Sequence, residues 1–139
     1  MSAPRTIVVT GSASGMGAAT VRRLADAGHR VIGVDLHDAT VTADFATAEG
    51  RRAAVEQVTE LAGGPDGAID GLVTWAGLAG LTDRPGSLLA AVNHFGTVAV
   101  LEGLRPLLAK WLEDSESQTG TSNSMEKIAA SGRSSVLSA

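Results

Sequence analysis

Residues 10–17 read Thr-Gly-Ser-Ala-Ser-Gly-Met-Gly and follow directly on the apolar run Ile7-Val8-Val9. A short β-branched run of this kind reads as a parallel strand covered on both faces. The chain must then turn sharply, which glycine permits by tolerating positive φ. Gly15 and Gly17 have no side chains, so the backbone can approach a ligand and a following helix can pack close to the strand. The free N–H groups at that helix start, aided by the helix dipole, favour an anion. Val21, Leu24, Ala25 and Gly28 recur at helical spacing, and Gly28 suits the helix C-terminus. Residues 30–35 (Arg-Val-Ile-Gly-Val-Asp) then read as a second strand ending on Asp35, placed to accept hydrogen bonds from a ribose. Taken alone, the glycines also allow a tight turn with no ligand. The order strand, turn, helix, strand, acid favours the pyrophosphate and ribose of a dinucleotide.

The remaining chain alternates in the same way. Residues 41–45 read as a short third strand, and Thr47 can cap the next helix. Ala54, Val55, Val58, Leu61 and Ala62 form one apolar stripe on that helix, with Arg51, Arg52, Glu56 and Glu60 on a solvated face. The glycine- and proline-containing stretch 63–67 ends it. Residues 69–75 read as the fourth strand and 77–86 as a loop. Residues 87–110 read as a helix with a broad apolar surface, which Pro106 should bend or divide. Residues 113–124 contain no apolar side chain and read as a solvated loop. One or two helical turns at 125–130 and the beginning of a fifth strand at 134–139 complete the expectation. The fold class is α/β: a Rossmann-type, doubly wound parallel sheet, incomplete at about four to five strands, with right-handed crossovers. In domain terms, 1–112 form the dinucleotide-binding portion, 113–133 a polar loop with a short helix, and 134–139 the start of strand five.

Composition narrows the function classes. A net charge of −4 argues against a nucleic-acid or anionic-membrane surface. The absence of cysteine excludes a disulfide framework and a thiolate metal site, and fits a reducing compartment. His29, His37 and His94 lack metal-ligand spacing and read as surface or packing residues. Residues 1–5 lead straight into the first strand, leaving no room for a signal peptide. No apolar run in the sequence approaches membrane-spanning length. A cytoplasmic protein without membrane contact is the expectation.

The glycine spacing is Gly-x-x-x-Gly-x-Gly with Thr10 in front, and it resembles the cofactor motif of the short-chain dehydrogenase/reductase family. Asp44-Phe45 resembles the family's acid-and-hydrophobe pair near the adenine ring. Residues 71–77 (Gly-Leu-Val-Thr-Trp-Ala-Gly) lie where the family carries Leu-Val-Asn-Asn-Ala-Gly. Val92-Asn93-His94-Phe95-Gly96 resembles its Asn-containing helical stretch. Within the family, residues 35–39, 43–51 and 75–78 look most like the 3α-hydroxysteroid dehydrogenase/carbonyl reductase group. The resemblance covers about residues 4 to 109.

This resemblance implies NAD bound by Gly11, Ser14, Gly15, Met16, Gly17, Asp35, Leu36, Asp44, Phe45, Ala76 and Gly77. Asp35 favours NAD, because its carboxylate can bind ribose hydroxyls and would repel a 2′-phosphate. No Arg or Lys at 12–14 or 36–38 offsets that charge. The resemblance also implies an active-site role for Asn93, whose alternative is a structural hydrogen bond, and for Ser138, as the strand-five serine. Trp75 stands in place of a family amide residue and reads as core packing. Trp111 is either core or an exposed contact. The family's catalytic Tyr, with a Lys four residues later, has no counterpart, since the chain contains no Tyr.

Three functional readings follow. The first is the cofactor-binding part of an oxidoreductase that would interconvert a secondary alcohol and a ketone, the substrate being a small hydrophobic, steroid-like carbonyl. The second is a non-catalytic dinucleotide-binding or interaction module. The third is a non-functional truncation product, motivated by the abrupt polar tract. A methyltransferase also places an acid after a second strand, but the glycine spacing argues against it. The 87–110 helix resembles one that family members use at a dimer interface, so self-association is expected.

Overall fold

The computed structural model describes residues 3–80, 83–119 and 136–138, with side chains described up to residue 110. Five strands form one parallel sheet in the order β3-β2-β1-β4-β5. They are β1 (Thr6–Thr10), β2 (Arg30–Asp35), β3 (Val41–Thr42), β4 (Gly71–Thr74) and β5 (Val136–Ser138). The expected fold class and the fifth strand are therefore present. The central register places Ile32, Val8 and Leu72 side by side. This row, with Val34 and Val41, forms the sheet side of the core.

Two helices bury their apolar sides on that face. Helix α2 (Ala48–Leu61) contributes Ala54 and Val58. Its N-terminus is capped as its sequence predicts, with Thr47 Oγ1 accepting from Gly50 N at 2.9 Å. Leu61 departs from the expected stripe: it lies at the last helical turn and is exposed. The second helix contributes Val100, Leu104 and Leu107. Gly103 lets the two helices approach, since a Cβ there would stand 2.6 Å from Val55. On the opposite face runs α1 (Gly15–Asp26), with Val21 and Leu24 half-buried. It stops at Gly28, whose φ of +85° is the left-handed conformation expected after a helix end.

Strand β3 is shorter than the expected 41–45. Asp44 ends it, because its Oδ1 accepts from Ala46 N at 2.8 Å and turns the chain toward α2. The 87–110 helix is divided, though not at Pro106. A short α3 (Gly86–Ala90) runs into a π-helical turn over Ala91–Gly96 and then into α4 (Thr97–Thr119), which continues through the proline. Pro106 sits on an exposed position of that helix. Helix α4 also extends through residues 113–119, where a loop is expected. A helix already nucleated adds residues cheaply, and this stretch contains neither Gly nor Pro. Residues 120–135, including the expected turns at 125–130, lie outside the described residues.

The helical stretch Gly86–Lys110 is long and apolar enough to cross a membrane by length and composition, with a mean hydropathy of 1.3 over its most apolar 18 residues. This corrects the expectation that no stretch reaches that length. Gly, Asn, His and Pro interrupt the apolar run in the sequence, but helical backbone, first α, then π, then α again, runs through all of them. Part of its apolar content is explained by the core face, where Val100, Leu104 and Leu107 are buried.

Candidate functional site

The sheet order reverses between β1 and β4, and the crevice at the strand ends there is where open α/β sheets bind ligands. Its first wall is the turn after β1. Gly11 has φ +68°, and a Cβ on it would stand 2.7 Å from the backbone nitrogen of Ala76. Gly17 is buried, and a Cβ on it would fall 1.8 Å from the carbonyl oxygen of Gly11. The turn thus closes on itself and on the end of β4 only because these positions carry hydrogen. Gly15 differs: a Cβ there would meet nothing within 4 Å, since it faces the open crevice.

Helix α1 begins at this turn with an extended Ser14 whose side chain makes no capping bond. No acidic residue occupies its first turn. The first amides of a helix have no intrahelical acceptor. Those of α1 therefore present partial positive charge toward the crevice without a carboxylate of their own to neutralise it.

Asp35 closes the second wall. Its Oδ2 accepts from Ala13 N at 2.9 Å and its Oδ1 from Leu36 N at 2.6 Å. A carboxylate offers about four acceptor sites, so both oxygens retain capacity for hydroxyl groups. Asp44 and Phe45 form a third wall. The Phe45 ring is buried against Gly96, where a Cβ would come within 3.1 Å of it, and its carbonyl accepts from Arg51 Nη1 at 2.8 Å. Ala76 and Gly77 form the fourth, with Ala76 N donating to Thr10 Oγ1 at 3.2 Å.

These walls enclose one cavity of about 590 Å³. All of the sequence-predicted cofactor residues line it: Gly11, Ser14, Gly15, Met16, Gly17, Asp35, Leu36, Asp44, Phe45, Ala76 and Gly77. Met16 and Leu36 are exposed at its mouth and offer apolar contact to a flat ligand. A backbone cradle closed to side chains, an uncapped helix N-terminus, a carboxylate with spare acceptors and an apolar slot fit the diphosphate, ribose and adenine of a dinucleotide.

Asn93 does not line the cavity. Its Oδ1 accepts from Leu78 N at 2.7 Å, and its Nδ2 donates to Leu78 O at 2.9 Å. The π-helical turn aims this amide at the loop after β4, while Thr97 Oγ1 donates to the Asn93 carbonyl at 3.0 Å. The backbone of Ser138 pairs with Thr74 at the end of β4, and its side chain lies outside the described residues. Trp111 likewise has no described side chain.

Several cavity residues have no signal in the sequence. Trp75 is half-buried and lines the cavity, rather than simply filling the core. Its Nε1 donates to Thr20 Oγ1 at 2.9 Å, and Thr20 in turn donates to Met16 O at 2.8 Å. Arg84, Leu88 and Val92 reach the rim from the loop and helix after β4. Val92 adjoins Asn93 in the stretch that resembles the family motif, whereas Arg84 and Leu88 belong to no local motif. Ser12 Oγ is buried without a hydrogen-bond partner among the described residues, against the flat face of Gly33.

The family model described as short chain dehydrogenase matches residues 5–118. The 3-alpha-hydroxysteroid dehydrogenase/carbonyl reductase of Comamonas testosteroni is 44% identical over 104 residues, covering 75% of this chain and 39% of that protein. A coniferyl-alcohol dehydrogenase of Pseudomonas sp. is 42% identical over 110 residues, covering 72% of this chain and 40% of that protein. The crystal structure of the 3-alpha-hydroxysteroid dehydrogenase from Pseudomonas sp. B-0831, complexed with NADH, superposes with a TM-score of 0.67 at 46% identity. That match covers 74% of this chain and 42% of the solved one. The chain thus spans about two fifths of the length of these relatives.

Proposed function

The chain belongs to the short-chain dehydrogenase family, and on that premise we propose that it is the NAD-binding part of an oxidoreductase for a secondary alcohol and its ketone. One observation carries this: the glycine turn, Asp35, Asp44-Phe45 and Ala76-Gly77 converge on a single cavity. The bound nicotinamide would supply hydride chemistry. The chain's own residues hold the cofactor. The α1 amides receive the diphosphate, Asp35 accepts the adenosine ribose hydroxyls, and Phe45 with Leu36 covers the adenine.

NAD is proposed over NADP because a 2′-phosphate would meet the Asp35 carboxylate. A small hydrophobic, steroid-like carbonyl or alcohol is the proposed substrate class, supported by similarity to the Comamonas hydroxysteroid dehydrogenase. The chain as given contains no Tyr, and positioned acid–base groups contribute roughly 10² to 10⁴-fold. It is therefore proposed to bind cofactor without turning substrate over alone. Asn93 holds the loop after β4 in this scheme, since its amide is already committed to Leu78.

Calorimetric titration of the purified chain with NAD and NADP tests the proposal. Tighter binding of NAD supports it, tighter binding of NADP overturns the cofactor choice, and failure to bind either overturns the whole. Robust ketone reduction with NADH would overturn the proposed incompetence. The exposed apolar surface of the Gly86–Lys110 stretch, with Phe95 half-exposed, supports a homo-oligomer. A monodisperse monomer in concentrated sedimentation runs would remove that part. A cytoplasmic location is proposed from the absence of cysteine.

A further inference from the structure

Trp75 is held at both its backbone and its side chain. Its backbone N–H donates to the Thr10 carbonyl at 3.2 Å, and its carbonyl carbon would stand 2.8 Å from a Cβ on Gly11. The residue is thus seated on the end of β1 and on the start of the glycine turn. Its side chain reaches from that seat to α1, where Nε1 donates to Thr20 Oγ1 at 2.9 Å. Thr20 Oγ1 in turn donates to the Met16 carbonyl at 2.8 Å. An indole offers one donor and no acceptor, and a hydroxyl one donor. The chain of bonds therefore has one direction, from indole to hydroxyl to carbonyl.

The end of that chain lies in the cavity wall, since Met16 and Gly17 both line it. The Met16 carbonyl and the Gly17 N–H belong to one planar peptide group. A bond that fixes the carbonyl thus fixes the direction of the N–H. The bond from Ala18 N to Ser14 O, at 3.1 Å, closes the first turn of α1. The Gly17 N–H precedes it and is among the amides that have no acceptor inside the helix. Hydrogen bonds in series also polarise one another, by roughly 10–30% per bond. A hydroxyl that bonds back to the carbonyl four residues earlier tends to bend a helix. Here the indole engages the same hydroxyl and ties that turn to the end of β4.

We infer that Trp75 is a positioning residue for the cofactor: through Thr20 it fixes the Met16–Gly17 peptide, and with it the Gly17 N–H, one of the α1 amides that receive the diphosphate. The inference rests on the dinucleotide reading above. It gives a task to the tryptophan that stands where the family pattern has an amide residue.

The test separates the hydrogen-bond chain from the bulk of its members. The full chain and its Thr20→Val, Thr20→Ser and Trp75→Phe variants, with the Thr20→Val/Trp75→Phe double variant, are titrated with ADP and with adenosine. Thr20→Val keeps the shape and removes the hydroxyl, while Trp75→Phe keeps an aromatic ring and removes the donor. Each should weaken ADP roughly three- to tenfold, the range for one hydrogen bond lost. The double variant should be within about twofold of the weaker single one, because both changes break the same chain. Thr20→Ser keeps the hydroxyl and should bind ADP within about twofold of the parent. Adenosine lacks the diphosphate and should stay within about twofold throughout, which also verifies that the variants fold. Without ligand, the indole N–H resonance that Trp75→Phe removes should exchange faster with solvent in Thr20→Val than in the parent or in Thr20→Ser.

Unchanged ADP binding in both Thr20→Val and Trp75→Phe overturns the inference. Equal losses for ADP and adenosine overturn it by assigning the pair to general packing. A Thr20→Ser variant as weak as Thr20→Val, or additive losses in the double variant, overturns it by removing the hydroxyl from the chain. If the parent binds neither ligand, the dinucleotide reading fails and the inference falls with it. That outcome is distinct from a parent that binds and variants that bind equally well.

Discussion

Asp35 Oδ2 accepts the backbone N–H of Ala13 at 2.9 Å, so the carboxylate that ends β2 is fastened to the turn that follows β1. The same side chain lines the cavity. It shapes the turn and faces the ligand together, because each carboxylate oxygen has more than one acceptor site.

Replacing Asp35 should therefore disturb two properties that can be measured separately. Asp35→Asn keeps the shape but retains only one oxygen acceptor, so it can serve Ala13 or Leu36 and not both. A loss of about 1 kcal/mol in urea unfolding is expected, the low side for a charged bond because the site is exposed. Removal of the charge should also raise NADP affinity relative to NAD, by roughly tenfold if like-charge repulsion sets the preference. A stability loss with an unchanged cofactor ratio would confine Asp35 to the turn.

The glycines of the turn should respond unequally. Gly17→Ala places a Cβ 1.8 Å from the Gly11 carbonyl oxygen, where only backbone movement relieves the clash. A cost of about 3 kcal/mol or more is expected, with loss of dinucleotide binding. Gly15→Ala meets no atom within 4 Å but must hold φ +53°. That conformation costs about 1–2 kcal/mol for an L-residue. Chemical denaturation of the two variants checks the ranking. Equal losses would mean that the turn is looser than its contacts imply.

Much of this architecture is legible in the sequence because its signals are local. The β-branched runs, the glycine spacing, Gly28 after α1 and the Thr47 cap each act within a few residues. Asp35 is legible because a strand end fixes where its side chain can point. The remainder depends on partners distant in sequence. Asn93 meets Leu78, Trp75 meets Thr20, and Arg84 lines the same cavity as Gly11 and Asp35. No periodicity encodes those meetings. The π-helical turn at Ala91–Gly96 is invisible for the same reason: Phe45, from another element, packs against Gly96. Pro106 and the polar run after Glu113 mislead because both are read as local breakers, whereas a helix already docked on α2 tolerates one and continues into the other.

Ser12 offers a stabilising substitution. Its hydroxyl is buried with no partner among the described residues, and Gly33 faces it. An unsatisfied buried hydroxyl costs about 1–3 kcal/mol. Ser12→Ala should raise the unfolding free energy by about 1 kcal/mol, after allowing for the small void left by the oxygen. NAD affinity should not change, since Ser12 does not line the cavity. Thermal unfolding and titration check the two halves. A lower Tm would show that the hydroxyl has a partner in solution, such as a buried water.

The Asn93–Leu78 pair tests whether Asn93 acts by position. Both atoms of its amide are matched, Oδ1 to Leu78 N and Nδ2 to Leu78 O. Asn93→Ala removes both bonds from an exposed site, with an expected cost of about 1 kcal/mol. Asn93→Asp retains the acceptor but sets a carboxylate oxygen against the Leu78 carbonyl, so it should cost at least as much as alanine. A purely steric role would rank aspartate, the closer match in shape, as the milder change. Hydrogen exchange at the Leu78 amide separates the cases further. It should accelerate in Asn93→Ala and remain partly protected in Asn93→Asp, where the acceptor survives. If neither variant alters exchange at Leu78, the loop after β4 is held by other contacts and Asn93 is not its anchor.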